Sequence, residues 1–208
     1  MSRSRWTICI VLFNQFELLD VAGPVELFSL APAIDIHFVA PQIGPVASSQ
    51  NVELIAKYTF ADAPSPDIVL VPGGAGTRSL VHNDDFLSLL RTLCVRSPLL
   101  ASVCTGSAIL AAAGLLDGYR ATSNKKAFDW VCSVRPSVEW IPAARWVHDR
   151  SRWTSSGVAA GMDMAHALIA DTCGIEVADT AARLAELEVQ TDPSWDPFAT
   201  YYNLNTIN

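Results

Sequence analysis

Cys104 sits in the stretch "LLASVCTGSAILAAAGLL", where a compact apolar run, Leu99–Val103, gives way to a helical one, Ser107–Leu116. A strand running directly into a helix, with a nucleophile-type residue at the junction, is the arrangement of a nucleophile elbow. Ser102-Val103-Cys104-Thr105-Gly106 is a small-x-Cys-x-Gly variant of that pattern. The small residues two before and two after the cysteine permit the close backbone approach of a sharp turn. A helix starting near Thr105 would aim its dipole and free N–H groups at the sulfur, and such sites can lower a cysteine pKa to about 3.5–7.5. By spacing alone a nucleophile and an inert core thiol both stay open, because free cysteine is among the most buried residue types.

Two further stretches bear on that choice. "VPGGAG" (Val71–Gly76) closes another apolar run with glycines that permit unusual dihedrals and bare backbone N–H groups. Gly73 and Gly74 with Ala75 form either a plain tight turn or, through the Gly74, Ala75 and Thr105 amides, an oxyanion hole. "ELLDVAGP" places Asp20 in an apolar setting, either as a helix cap or as a buried carboxyl with a raised pKa that exchanges protons with the thiol. The four histidines fall in a strand (His37), a loop (His82), near a strand end (His148) and in an apolar helix (His166), where structural or solvated roles suffice. Trp130, Trp153 and Met162 are candidates for lining a pocket.

These residues need a scaffold that gathers them, and strand and helix signals alternate along the chain as in an α/β fold with a mostly parallel sheet. "WTICIVLF", "IDIHFVA" and "DIVLVPGG" read as core strands. "VAGPVELFSLA" reads as a helix with Pro24 in its first turn. "GPVASSQNVELIAKYTFADA" has the alternating polarity of a hairpin excursion, and Asn83 or Asp84 caps a helix over 83–97. "NKKAFDWVCSV" is a short helix, "SVEWIP" and "RWVHD" are strands, and a long helix ends at Gly174 before an amphipathic one. Ligand chemistry on such a sheet gathers at the carboxyl ends of the strands, so the elbow and the Gly-Gly turn share one edge. The expectation is a single domain over 1–208 with an irregular tail over 192–208.

Composition narrows the function classes. Half of the residues are hydrophobic and 17% are charged, which excludes a disordered chain. A net charge of -7 argues against a nucleic-acid groove, and no apolar run is long enough to span a membrane. The basic N-terminal start lacks a cleavage site and reads as a strand, so a cytoplasmic location is expected. Five cysteines at irregular spacing, with no zinc-type cluster, point to reduced thiols and no metal.

The motifs "LLDVAGP", "VPGGAG", "SVCTGS", "AAGLLDGYRATSN" and "SSGVAAGMDMA", in that order, resemble the ThiJ/PfpI superfamily, and within it the isocyanide (isonitrile) hydratases. The resemblance implies a flavodoxin-like, class I glutamine amidotransferase-like fold with helices on both faces of the sheet, and a homodimer. It maps Cys104 to the nucleophile, Asp20 to its carboxyl partner, Thr105 to a substrate-touching residue, and Gly73, Gly74 and Ala75 to the oxyanion side. Many members carry a histidine where this chain has Asn124, so a Cys-His dyad is not carried over. The implied reaction is cofactor-free hydration of a small electrophile, an isocyanide, to an N-substituted formamide through an adduct on Cys104. The alternatives are a glyoxalase or deglycase acting on 2-oxoaldehydes, a specialised biosynthetic enzyme, and a non-enzymatic redox sensor using Cys104. Regulators with this fold add a helix-turn-helix domain, for which no room is expected here.

Overall fold

The computed structural model describes residues 5–204; the first four and last four residues of the expected single domain, including the end of its tail, lie outside them. The leading apolar run forms β1 (Trp6–Val11), followed by α1 (Leu18–Ser29) and β2 (Ile34–Ala40). The polar-alternating stretch folds as the antiparallel hairpin β3 (Gly44–Ala47) and β4 (Glu53–Ala56), before a short β5 (Tyr58–Thr59). β6 (Ile68–Val71), α2 (Thr77–Leu80), α3 (Asp84–Cys94), β7 (Leu99–Ser102) and α4 (Gly106–Ala112) supply the middle of the fold. Then come β8 (Arg120–Ala121), α5 (Phe128–Val134), β9 (Glu139–Trp140), β10 (Trp146–Asp149) and β11 (Arg152–Ser155). The chain closes with α6 (Ala160–Cys173), α7 (Ile175–Leu184) and α8 (Pro197–Tyr201).

One sheet of seven strands, ordered β10-β11-β7-β6-β1-β2-β5, runs through the molecule. Every neighbour pair in it is parallel except β10–β11. β1 steps one way to β2, whereas β6 lies on the other side of β1 and leads to β7 and β11. Right-handed crossovers in opposite directions put α1 on one face of the sheet and α3 and α4 on the other. α6 and α7 pack with α1, and α5 packs with α4, so both faces are covered. That is why Ile8, Ile10, Ile68 and Leu70 on one face of the sheet, and Cys9 and Val69 on the other, are all fully buried. The reversal between β1 and β6 opens a crevice at their carboxyl ends, the usual ligand position in such sheets.

Several local expectations are met. Asn83 accepts a hydrogen bond from the Phe86 amide as the cap of α3, and Gly174, at φ +100°, ends α6. Two differ. Pro24 lies in the interior of α1 rather than its first turn, because the helix begins at Leu18. Its missing N–H leaves the Asp20 carbonyl without the usual helical donor. The tail beyond Asp192 contains α8, capped by Asp196, whose side chain accepts from the Phe198 amide. Asp196, Ala199 and Leu204 are buried, and the Pro193 carbonyl accepts from the Arg145 amide at 2.8 Å. No helix among the described residues is long and apolar enough to cross a membrane.

Candidate active site

β7 continues its pairing with β6 for one residue past its end, through Val103 N–H to Val71 O at 3.0 Å, and the chain then turns sharply. Cys104 holds the turn at φ +56°, a left-handed conformation that costs a non-glycine residue roughly 1–3 kcal/mol. Its backbone is fastened on both sides. The amide donates to Ser156 O at 3.1 Å, and the carbonyl accepts from Ser123 Oγ at 2.9 Å and Ser107 Oγ at 3.2 Å. A Cβ on Gly106 would collide with the carbonyl oxygen of Val71, so the glycine two residues on is a steric requirement. The elbow stands as the spacing implied.

Asp20 is fully buried in the first turn of α1 and is not its cap, since Glu17 occupies that position. The carboxylate reaches across to the end of β6, where Oδ2 accepts the Gly73 amide at 2.8 Å. Oδ1 makes no hydrogen bond. Burial raises the Asp20 pKa to about 7, with a smaller push from Glu17, while the Gly73 amide and the Cys104 thiol pull the other way. Gly73 is therefore committed to the carboxyl. It separates Asp20 from Thr105 so closely that a Cβ there would lie 2.7 Å from Thr105 N and Oγ1.

The thiol itself departs from expectation. Burial, and then the charge of Asp20, push the Cys104 pKa well above the ordinary thiol range. The Thr105 amide and hydroxyl and the Val158 amide oppose this without overcoming it. A short helix offers a thiolate only about 0.3–1 kcal/mol, less than desolvation of the charge costs. Burial and the neighbouring carboxyl thus favour the thiol form of Cys104, and burial likewise raises the Asp20 pKa to about 7.

Cys104 opens onto a cavity of about 560 Å³ that Thr105, Gly74, Ala75, Asn124 and Val158 also line. Asp20 and Gly73 lie beneath it. Gly74, at φ +129°, donates to Thr105 Oγ1 at 3.2 Å, and Thr77 Oγ1 lies 2.8 Å from Gly74 O and 3.2 Å from Thr105 Oγ1. That network fixes the Thr105 hydroxyl beside the sulfur. Asn124 Oδ1 accepts from the Ala127 amide at 3.1 Å, and its Nδ2 crowds Gly157, where a Cβ would not fit. A smaller cavity of about 280 Å³ shares Asn124, Lys126 and Val158 and is lined also by Phe198 and Tyr202, so α8 reaches the site.

None of the histidines lines the Cys104 cavity. His37 meets the Tyr58 ring edge-on, His148 stacks on Trp153, and His166 pairs with Asp179 at 3.0 Å. Trp153 and Met162 are elsewhere, the latter against Gly23, whereas Trp130 approaches through the Arg78 guanidinium stacked on its ring. Val158 is the residue that sequence reasoning missed. A β-branched side chain at φ +36° is strained, and the strain turns its amide toward the sulfur. The nearby "SSG" turn was the only signal of it. Ser123, which holds the Cys104 carbonyl, carried no signal of its own.

The chain is 35% identical to isonitrile hydratase of Pseudomonas putida over 188 residues, 90% of this chain and 79% of that one. It is 30% identical to the HTH-type transcriptional regulator GbdR of Pseudomonas aeruginosa over 85% of its own length, but spans only 49% of the regulator. Among solved structures, a THiJ/PfpI family protein from Pseudomonas syringae superposes with a TM-score of 0.81 at 30% identity, covering 89% of this chain and 76% of that one. With its elbow, buried carboxyl and glycine turn on a mostly parallel sheet, and with residues 6–171 matching that family, the chain belongs to the DJ-1/PfpI family.

Proposed function

We propose that the protein hydrates isocyanides, R–NC, to N-substituted formamides without a cofactor. The observation that carries this reading is the Cys104 elbow opening onto a cavity that no histidine lines, beside a buried Asp20 held by the Gly73 amide, its pKa raised by burial to about 7. Such a pair holds one mobile proton. Asp20 takes the thiol proton as the sulfur bonds to the terminal isocyanide carbon, and returns it to that carbon to give the thioimidate R–N=CH–S–Cys104. Water adds to the same carbon, and nitrogen gains a proton. The tetrahedral adduct then collapses with C–S cleavage, the sulfur recovering the hydroxyl proton and R–NH–CHO leaving. The Thr105 and Val158 amides are placed to stabilise charge on the sulfur during both transfers.

Similarity to isonitrile hydratase supports the hydratase reading over one on 2-oxoaldehydes. We also take the protein to act as a homodimer in the cytoplasm. The decisive measurement is turnover of an isocyanide panel by the unaltered protein and by Cys104→Ala. The variant is expected to lose all formamide production, and the intact mass of the unaltered protein to show a transient adduct. Full activity in Cys104→Ala would sink the reading.

A further inference from the structure

We propose that the electrophile taken by the Cys104 cavity carries a carboxylate, held by Arg78 with Lys126 beside it. This rests on the hydratase reading for the identity of the reacting group. The chain is acidic, with 21 Asp and Glu against 14 Lys and Arg, yet the wall of this cavity is cationic, as is that of the smaller cavity beside it, where Lys125 and Lys126 meet no carboxylate among its lining residues. Arg78 and Lys126 line the Cys104 cavity, and Glu17 is its only acidic residue.

Many of the other arginines are already engaged, Arg96 and Arg152 with backbone carbonyls and Arg183 with Thr180 Oγ1. Arg5, Arg120, Arg135, Arg145 and Arg150 each face a carboxylate. Among the described residues, no carboxylate forms an ion pair with Arg78 or Lys126. Glu17 is held by a different partner. It accepts from Gln50 Nε2 at 2.7 Å, while Gln50 Oε1 takes the Leu18 amide at 3.0 Å. Arg78 is also preorganised, its guanidinium lying 3.5 Å over the Trp130 ring. Stacking occupies the face of the guanidinium and leaves its in-plane N–H fork for a planar, two-oxygen acceptor. Along the wall itself two cations face one anion, and the buried Asp20 is bonded to the Gly73 amide rather than to either cation, so Arg78 is left for an acceptor that enters the cavity. A carboxylate matches the fork in shape. The inferred substrate class is an isocyanide that also bears a carboxylate.

Cys104 can be probed with two alkylating agents that differ in charge, iodoacetate and iodoacetamide. In both reactions the sulfur bonds to the methylene carbon, iodide leaves with the C–I electron pair, and the thiol proton passes to Asp20 or buffer. Peptide mass spectrometry reads the rate at Cys104, and the iodoacetate-to-iodoacetamide ratio is normalised to that of free N-acetylcysteine. The full-length protein is expected to prefer the anion by about tenfold. Arg78→Met should bring the ratio close to one, and Arg78→Lys should keep part of the preference. A normalised ratio at or below one in the unaltered protein, or no change in Arg78→Met, overturns the proposal.

Turnover of isocyanoacetate and its methyl ester separates this inference from the reading beneath it. A lower KM for the acid, raised in Arg78→Met with kcat less affected, supports the anchor. Anion preference at Cys104 with neither compound hydrated would leave the anchor standing and the hydratase reading refuted. Equal hydration of acid and ester with a ratio of one would do the reverse.

Discussion

At neutral pH the Cys104–Asp20 pair shares a proton between two groups of unequal affinity, and its pH behaviour follows from that. The pair is competent when Asp20 is ionised and Cys104 is still a thiol. With Asp20 titrating at about 7 and Cys104 far above it, kcat/KM for an isocyanide should rise through an apparent pKa near 7 and level off above. Asp20→Asn should remove that rise and most of the activity. Stability runs the opposite way. A carboxyl whose pKa is raised by folding favours the folded state fully below its unfolded pKa, near 4, and the advantage disappears as pH climbs through 7. The loss is roughly 4 kcal/mol across that window. Urea titrations between pH 4 and 8 should therefore show the unaltered protein weakening with pH and Asp20→Asn nearly flat.

At the level of elements, the site is made by the ends of three parallel strands and the turns that follow them. β1 leads to α1 and Asp20, β6 to Gly73 and Gly74, and β7 to Cys104 and α4. The critical contact is the packing of the α4 N-terminus against the end of β6, where Gly106 meets the Val71 carbonyl. Gly106→Ala is expected to lower stability by about 1–3 kcal/mol, as overpacking does, and to displace the sulfur. Thermal melting with titration of Cys104 by a thiol reagent checks both effects together. A variant that melts normally and keeps the same Cys104 reactivity would show that the turn is not sterically fixed.

Across the whole molecule, the segment after α7 is tied back to the sheet through one buried ion pair. Arg145 Nε and Nη2 each lie 2.6 Å from Asp163 Oδ2 on α6, and Asp163 Oδ1 accepts the Gln190 amide at 2.9 Å. Arg145 also donates its own amide to Pro193 O. Breaking a buried pair by removing one partner costs about 3–5 kcal/mol, so Asp163→Asn should be strongly destabilised. It should keep the unaltered pH profile per folded molecule, because it lies outside the Cys104 cavity. Trp195, Phe198 and Tyr201 point outward while Asp196, Ala199 and Leu204 point in. Light scattering should give the mass of two chains, and replacing those three aromatics with serine tests whether this face contributes. An unchanged dimer would assign the contact elsewhere, for example to the hairpin face bearing exposed Ile43 and Ile55.

The order of strands and helices, the elbow at Cys104 and the need for glycine at position 106 could be read from the chain itself. Each depends on local pattern: continuous β-branched runs, a change of period, and small residues spaced about a turn. Asp20 was legible as a candidate, but its role was not, since a helix cap and a buried acid have the same residue type in the same apolar setting. Only the tertiary structure decided between them, by placing the carboxyl against Gly73 with no water-facing side. The same holds for the thiol. Local geometry argued for a thiolate at a helix start, whereas burial and the neighbouring carboxyl, both products of long-range packing, push its pKa the other way. Val158, Ser123 and the Arg78–Trp130 stack come from segments far apart in sequence, and only their convergence over the carboxyl ends of β1, β6 and β7 makes them part of one site.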